Sequence, residues 1–92
     1  MNLNAGDVVM SLAGRDAHRT FFVISVEDGY ALIADGKLRP AERPKRKKLK
    51  HLRRVGSPDC EVVERLKNGE QVRSSELRKG MASFEARNKE GG

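Results

Sequence analysis

The sequence predicts a mainly β fold, a small antiparallel barrel followed by two short C-terminal α-helices, and three observations carry that expectation. Between residues 6 and 36 three short runs rich in apolar residues can be divided into two sets of alternate positions, the period of two that pleated strands impose. Glycines interrupt the alternation where tight turns would fall, most clearly at Asp28-Gly29. The last third shows apolar residues three and four apart instead, the spacing of one helix face.

Gly6-Asp7 opens the first strand, in which Val8, Met10 and Leu12 alternate with Val9 and Ser11. Residues 1 to 5 before it read as a frayed start. In the second strand Phe22, Ile24 and Val26 alternate with Phe21, Val23 and Ser25, and in the third Tyr30, Leu32 and Ala34 alternate with Ala31 and Ile33. Asp28-Gly29 joins these two, because a two-residue hairpin turn needs positive φ at both central positions. The loop at 13 to 19 carries Arg15, His18 and Arg19, and Gly14 at its base is expected at positive φ so that the chain can turn back. Arg15 either reaches a ligand from this loop or pairs with Asp16 or Asp35.

Both faces of the second strand are apolar, so each needs a cover. The tail supplies the only other apolar material in the chain. Phe21, Phe22 and Tyr30 are expected to pack in the core, a base-stacking platform being the alternative for them.

These residues resemble a known family. Gly6-Asp7-Val8-Val9, then Ala13-Gly14-Arg15-Asp16, then the apolar run from Phe21 to Val26, an acidic turn, and the stretch from Ala31 to Gly36 look like the KOW motif. The basic continuation ending in Lys48-Leu49-Lys50-His51-Leu52 is similar to the KOW domains of archaeal and eukaryotic large-subunit ribosomal proteins of the L-fourteen type. The resemblance covers residues 5 to 55 specifically and the tail loosely. The motif occurs in elongation factors as well, so it implies a small SH3-like barrel and a nucleic-acid role more firmly than one partner. It also implies RNA contacts from the loop that holds Gly14, Arg15 and Arg19.

Charge is distributed unevenly. Of the formal net charge of +6, residues 1 to 36 contribute two basic and five acidic side chains, residues 37 to 54 ten basic and one acidic, and residues 55 to 92 seven of each. A block at +9 attracts polyanions, and phosphate backbones are the commonest polyanions in a cytoplasm. Pro40 and Pro44 lack backbone donors, so this block reads as an extended loop until Pro44 and then a short closing strand over residues 48 to 55. Leu49 and Leu52, three apart, fit a bulge or a helical turn better than a flat strand. Lys45, Arg46, Lys47 and Lys48 would project to two solvated sides and meet phosphates, joined by Arg43, Lys50, His51, Arg53 and Arg54.

Ser57-Pro58-Asp59 reads as the start of the first helix, with Ser57 as cap, and Asn68-Gly69 as its end. Val62, Val63 and Leu66 form its stripe. The second helix starts at Ser74 or Ser75 and aligns Leu77, Met81 and Phe84, with Gly80 weakening it by about 1 kcal/mol relative to Ala. Residues 88 to 92 read as disordered. The division expected is residues 1–56 as the β unit and 57–92 as a helical extension packed on it.

A chain of 92 residues buries about 60% of its unfolded surface, enough for a modest core and not for a deep catalytic cavity. Asp7, Asp16, Asp28 and Asp35 sit at turns and strand edges with no matched acid, base or nucleophile, so no enzyme, no cofactor and no small-molecule substrate is expected. Cys60 is the single cysteine and has no metal-ligand spacing around it, which excludes an internal disulfide and argues against a metal site. No apolar run reaches the length of a membrane span and the start lacks signal-peptide character, so a cytoplasmic protein is expected. The partners expected are structured RNA, ribosomal RNA first, and ribosomal proteins. The alternative is a KOW module that binds protein through its apolar face and helices.

Overall fold

The structure, a computed structural model, describes the fold of residues 3–91. Five strands come first, β1 (Val8–Ser11), β2 (Thr20–Glu27), β3 (Tyr30–Ala34), β4 (Lys45–Lys48) and β5 (Leu52–Gly56), with a 3-10 turn at Leu49–His51 between the last two. Two helices follow, α1 (Glu61–Lys67) and α2 (Ser74–Gly91). All strand pairs are antiparallel, in the order β4-β3-β2-β1-β5.

That order places consecutive strands β4 and β5 at opposite edges of one sheet. In a flat sheet four spacings of about 4.8 Å would separate them, roughly 19 Å. A 3-10 turn rises only about 2 Å per residue, so three residues cover roughly 6 Å. The sheet therefore curls until its edges approach. Register shifts between Val23 and Ser25 and between Val8 and Val9 add to the bend, since an extra residue on one strand sharpens local twist. No ladder joins β4 to β5 among the described residues, so the sheet is curled but not a closed barrel.

Apolar side chains on the two faces form two separate clusters. Inside the curl lie Leu3, Val9, Phe21, Val23, Ala31, Ile33 and Leu52. On the outer face Val8, Phe22 and Ala34 pack against Val62, Val63 and Leu66 of α1 and Leu77, Met81 and Phe84 of α2. The tail thus covers the second face, as the two-sided apolar strands require. Burying a side chain such as Phe22, which is 0% exposed, contributes about 2 to 3 kcal/mol. Gly80 gains a reason here: a Cβ at that position would stand 2.8 Å from Val62 Cγ1 and 3.2 Å from Phe22 Cζ, so its lack of a side chain lets α2 settle onto α1 and β2.

Several expectations change. The closing strand over 48 to 55 is instead two short strands around a helical turn, the helical turn being what the Leu49 and Leu52 spacing suggested. The first helix begins three residues later than Pro58-Asp59 implied, with Cys60 at its N-cap and no side-chain cap. Ser57 Oγ donates instead to Asp7 Oδ1 at 2.7 Å, so the capping hydroxyl ties β5 to the start of β1. Leu3 is buried in the inner cluster rather than frayed, and Met1 and Asn2 lie outside the described residues. The backbone of α2 continues to Gly91 where disorder was expected from residue 88, and Gly92 lies outside the described residues.

Candidate nucleic-acid interface

Strand β4 is made wholly of cations, and its pairing with β3 decides where each one points. Lys45 and Lys47 stand opposite Ile33 and Ala31, whose side chains line the inside of the curl; Arg46 and Lys48 stand opposite Leu32 and Tyr30 on the other side. Successive side chains of a strand face opposite ways, so the run divides into two pairs.

The inward pair converges on Asp16, at the tip of the loop between β1 and β2. Lys47 Nζ donates to Asp16 Oδ1 at 2.8 Å and to Ala13 O at 2.6 Å, and Lys45 Nζ donates to Asp16 Oδ2 at 3.1 Å. The Lys47 side chain is 8% exposed and that of Asp16 10%. Burial alone would raise the Asp16 pKa, but the hydrogen bonds and charges of Lys47 and Lys45 outweigh it and hold the group at about 2. Ser11 Oγ donates to the same carboxylate at 3.2 Å. The four consecutive cations are therefore not uniformly solvated: Lys47 is withdrawn from solvent and Lys45 is half-buried beside it.

This node fixes the loop. His18 N donates to Ser11 O at 2.7 Å and Ser11 N to Arg19 O at 3.0 Å, closing residues 11 to 19 into a loop whose start is also bound to the 3-10 turn by Leu12 N donating to His51 O at 2.8 Å. Gly14 has φ +86°, the positive value expected of it, and a Cβ there would stand 3.4 Å from Lys47 Nζ, above the ion pair. His18 takes φ 71°, a left-handed conformation that non-glycine residues adopt at a cost. Arg15 and Arg19 are exposed, and Arg15 has no carboxylate partner among the described residues, since Asp16 serves the two lysines and Asp35 accepts from the amides of Lys37 and Arg39.

The outward pair behaves differently. Arg46 and Lys48 are exposed, and the Arg46 guanidinium lies over the Tyr30 ring at 4.0 Å from its centroid, a cation–π contact worth about 0.5 to 1 kcal/mol on a surface. Tyr30 is half-buried and takes no part in the core, whereas Phe21 and Phe22 are fully buried, which removes them as a stacking platform. Lys50 and half-buried His51 sit on the 3-10 turn, Arg53 and Arg54 extend along β5 with Arg54 4.0 Å from Asp7, and Arg43 is exposed in the approach to β4. Residues 37 to 44 do not swing freely: Ala41 N donates to Ser74 Oγ at 2.9 Å, and Ala41 packs on the outer cluster.

The structure thus brings together the loop at 12 to 19, β4 and the 3-10 turn. Compared with known proteins, the chain matches no protein-family model and no curated sequence. Sequence reasoning missed Asp16 as the organiser of the site. Its partners lie 29 and 31 positions away and carry no local signal of the pairing.

Proposed function

We propose that this protein binds structured RNA, ribosomal RNA in particular, and catalyses no reaction. The observation that carries the reading is a preorganised loop that bears exposed Arg15 and Arg19 and docks on β4 and the 3-10 turn, which themselves bear exposed Arg46, Lys48 and Lys50. Cations fixed on a rigid frame bind a polyanion at smaller entropic cost than cations on a free arm. Phosphate contacts of this kind gain affinity through counterion release and carry no sequence information, so recognition rests on the shape of a folded RNA.

The curl of the antiparallel sheet, with a short 3-10 turn between its edge strands, supports the SH3-like architecture that the KOW resemblance implies, short of a closed barrel. The cytoplasm, where ribosomal RNA and ribosomal proteins are at hand, is the setting for this reading. The protein-binding alternative is the weaker one, because the apolar face it would use is occupied by α1 and α2, and the large exposed apolar residues Leu12, Val26 and Leu38 belong to three separate segments.

Titrating salt against binding to ribosomal RNA fragments tests the proposal. With Arg46, Lys48, Lys50, Arg53 and Arg54 each on a phosphate, log K should fall against log salt with a slope of about −3.5 to −4.5. A slope near zero, or binding to ribosomal proteins with no RNA affinity, sinks it.

A further inference from the structure

A groove of about 580 Å³ opens between the end of the 12 to 19 loop, the turn at 35 to 39 and the middle of α2. His18, Arg19, Lys37, Arg78 and Lys79 line it. Its two carboxylates are engaged by neutral donors rather than by these cations. Asp35 Oδ1 accepts from the backbone of Lys37 at 2.9 Å and of Arg39 at 3.0 Å, and Glu85 Oε2 accepts from Thr20 Oγ1 at 3.3 Å. Among the described residues none of the four cations has a carboxylate within salt-bridge distance.

The groove is also built rather than incidental. Arg78 Nη1 donates to Gly36 O at 2.7 Å, which holds the turn against α2, and a Cβ at Gly36 would stand 2.9 Å from Arg78 Cγ, so the approach depends on the glycine. The Asp35 carboxylate shapes the turn so that Lys37 and Arg39 are presented from a fixed backbone. Met81 and Ala82 supply an apolar wall beside the charges. Cations around a slot with an apolar side are what a nucleotide needs, phosphate toward the nitrogens and sugar or base along the wall.

We propose that this groove holds one nucleotide of the bound RNA, its phosphate between Lys37 and Lys79, so that the RNA path runs from the 12 to 19 loop onto α2. The inference rests on the RNA-binding reading above and adds a surface to it: α2, whose part in the sequence is to cover the sheet, also contacts the ligand. Arg19 belongs to the loop and to the groove and joins the two stretches.

The test compares three full-length variants for binding to a short ribosomal RNA hairpin over a range of salt. Lys37→Gln with Lys79→Gln changes only exposed side chains and should leave thermal stability alone, while the salt slope becomes shallower by about 0.7 to 0.9, the share of the one phosphate the pair holds, and affinity drops on the order of tenfold. Ala82→Glu, exposed on the groove wall, keeps every cation and should weaken binding as well. Arg46→Gln with Lys48→Gln serves as the reference on β4. If both groove variants bind as the parent does while the β4 variant is weakened, the groove assignment falls and RNA binding stands. If the parent does not bind RNA, the broader reading falls and this one with it. Amide chemical shifts of Lys37 and Lys79 that respond to inorganic phosphate but not to the hairpin would overturn the placement of RNA in the groove.

Discussion

The two sides of β4 carry the same chemistry and do opposite things. On the inner side Lys45 and Lys47 close one end of the curled sheet by clamping Asp16, and the loop that follows β1 is held in place as a result. On the outer side Arg46 and Lys48 leave their charge exposed, and Tyr30 orients the first of them. A run of four cations is therefore a statement about two faces, not about one patch. Local net charge overstates the free charge here, because part of it is neutralised by an aspartate far away in sequence.

The inner side gives the largest expected effect. Asp16→Ala leaves Lys47 buried without a counter-charge, and breaking a buried pair from one side typically costs 3 to 5 kcal/mol. At the lower end of that range, about 3 kcal/mol, the fall in Tm is on the order of 15 °C for a domain of this size. Thermal unfolding followed by circular dichroism measures it. A Tm within a degree or two of the parent would mean that the inner pair is no more structural than the outer one.

Acid titration is the next largest. The Asp16 pKa lies at about 2 in the folded chain against 3.8 unfolded. A depressed carboxylate stabilises the fold fully above the unfolded value and loses that contribution as pH falls through the folded one. About 2 kcal/mol should therefore disappear between pH 3.8 and about 2, at 1.36 kcal/mol per unit. The acid limb of a stability profile should flatten in Asp16→Asn, and an unchanged limb would detach the pair from stability.

The outer side should show the smallest effect on folding and a clear one on binding. Arg46→Gln with Lys48→Gln removes exposed charge and one cation–π contact, about 1 kcal/mol at most. On RNA the same variant should lose about 1.4 to 1.8 from the salt slope. Denaturant melts and salt titrations of one preparation separate these two readouts. A large loss of stability without a change in slope would reverse the roles assigned to the two sides.

Much of this fold is legible in the sequence, for a simple reason. β1, β2 and β3 are short apolar-rich runs bounded by turn residues, Asp28-Gly29 supplies positive φ at both turn positions, and Leu77, Met81 and Phe84 keep helical spacing, so local pattern suffices for them. β4 escapes such reasoning because lysine and arginine fill every position and no apolar alternation marks the inward ones. The start of α1 escapes it for another reason: Ser57 is a good cap by type, yet its hydroxyl answers the buried Asp7 across 50 positions. In the candidate site the exposed cations were readable from composition, while the Asp16 node, which positions them, exists only after the chain has folded. Lys79 beside the groove left a signal, since it stands next to Arg78 between the apolar positions Leu77 and Met81 of α2.

The open edge of β4 has one more consequence. A strand at the rim of a sheet offers unpaired amides and carbonyls on which a second copy of the chain could grow a continuous ribbon. At β4 such a copy, entering antiparallel, would set lysine against lysine or arginine at a spacing of about 5 Å along the whole contact, and like charges directly across a ladder repel. The cationic rim thus works against self-templating, apart from the RNA contact proposed for it. Neutralising it by mutation should be judged in concentrated solution as well as in dilute binding assays.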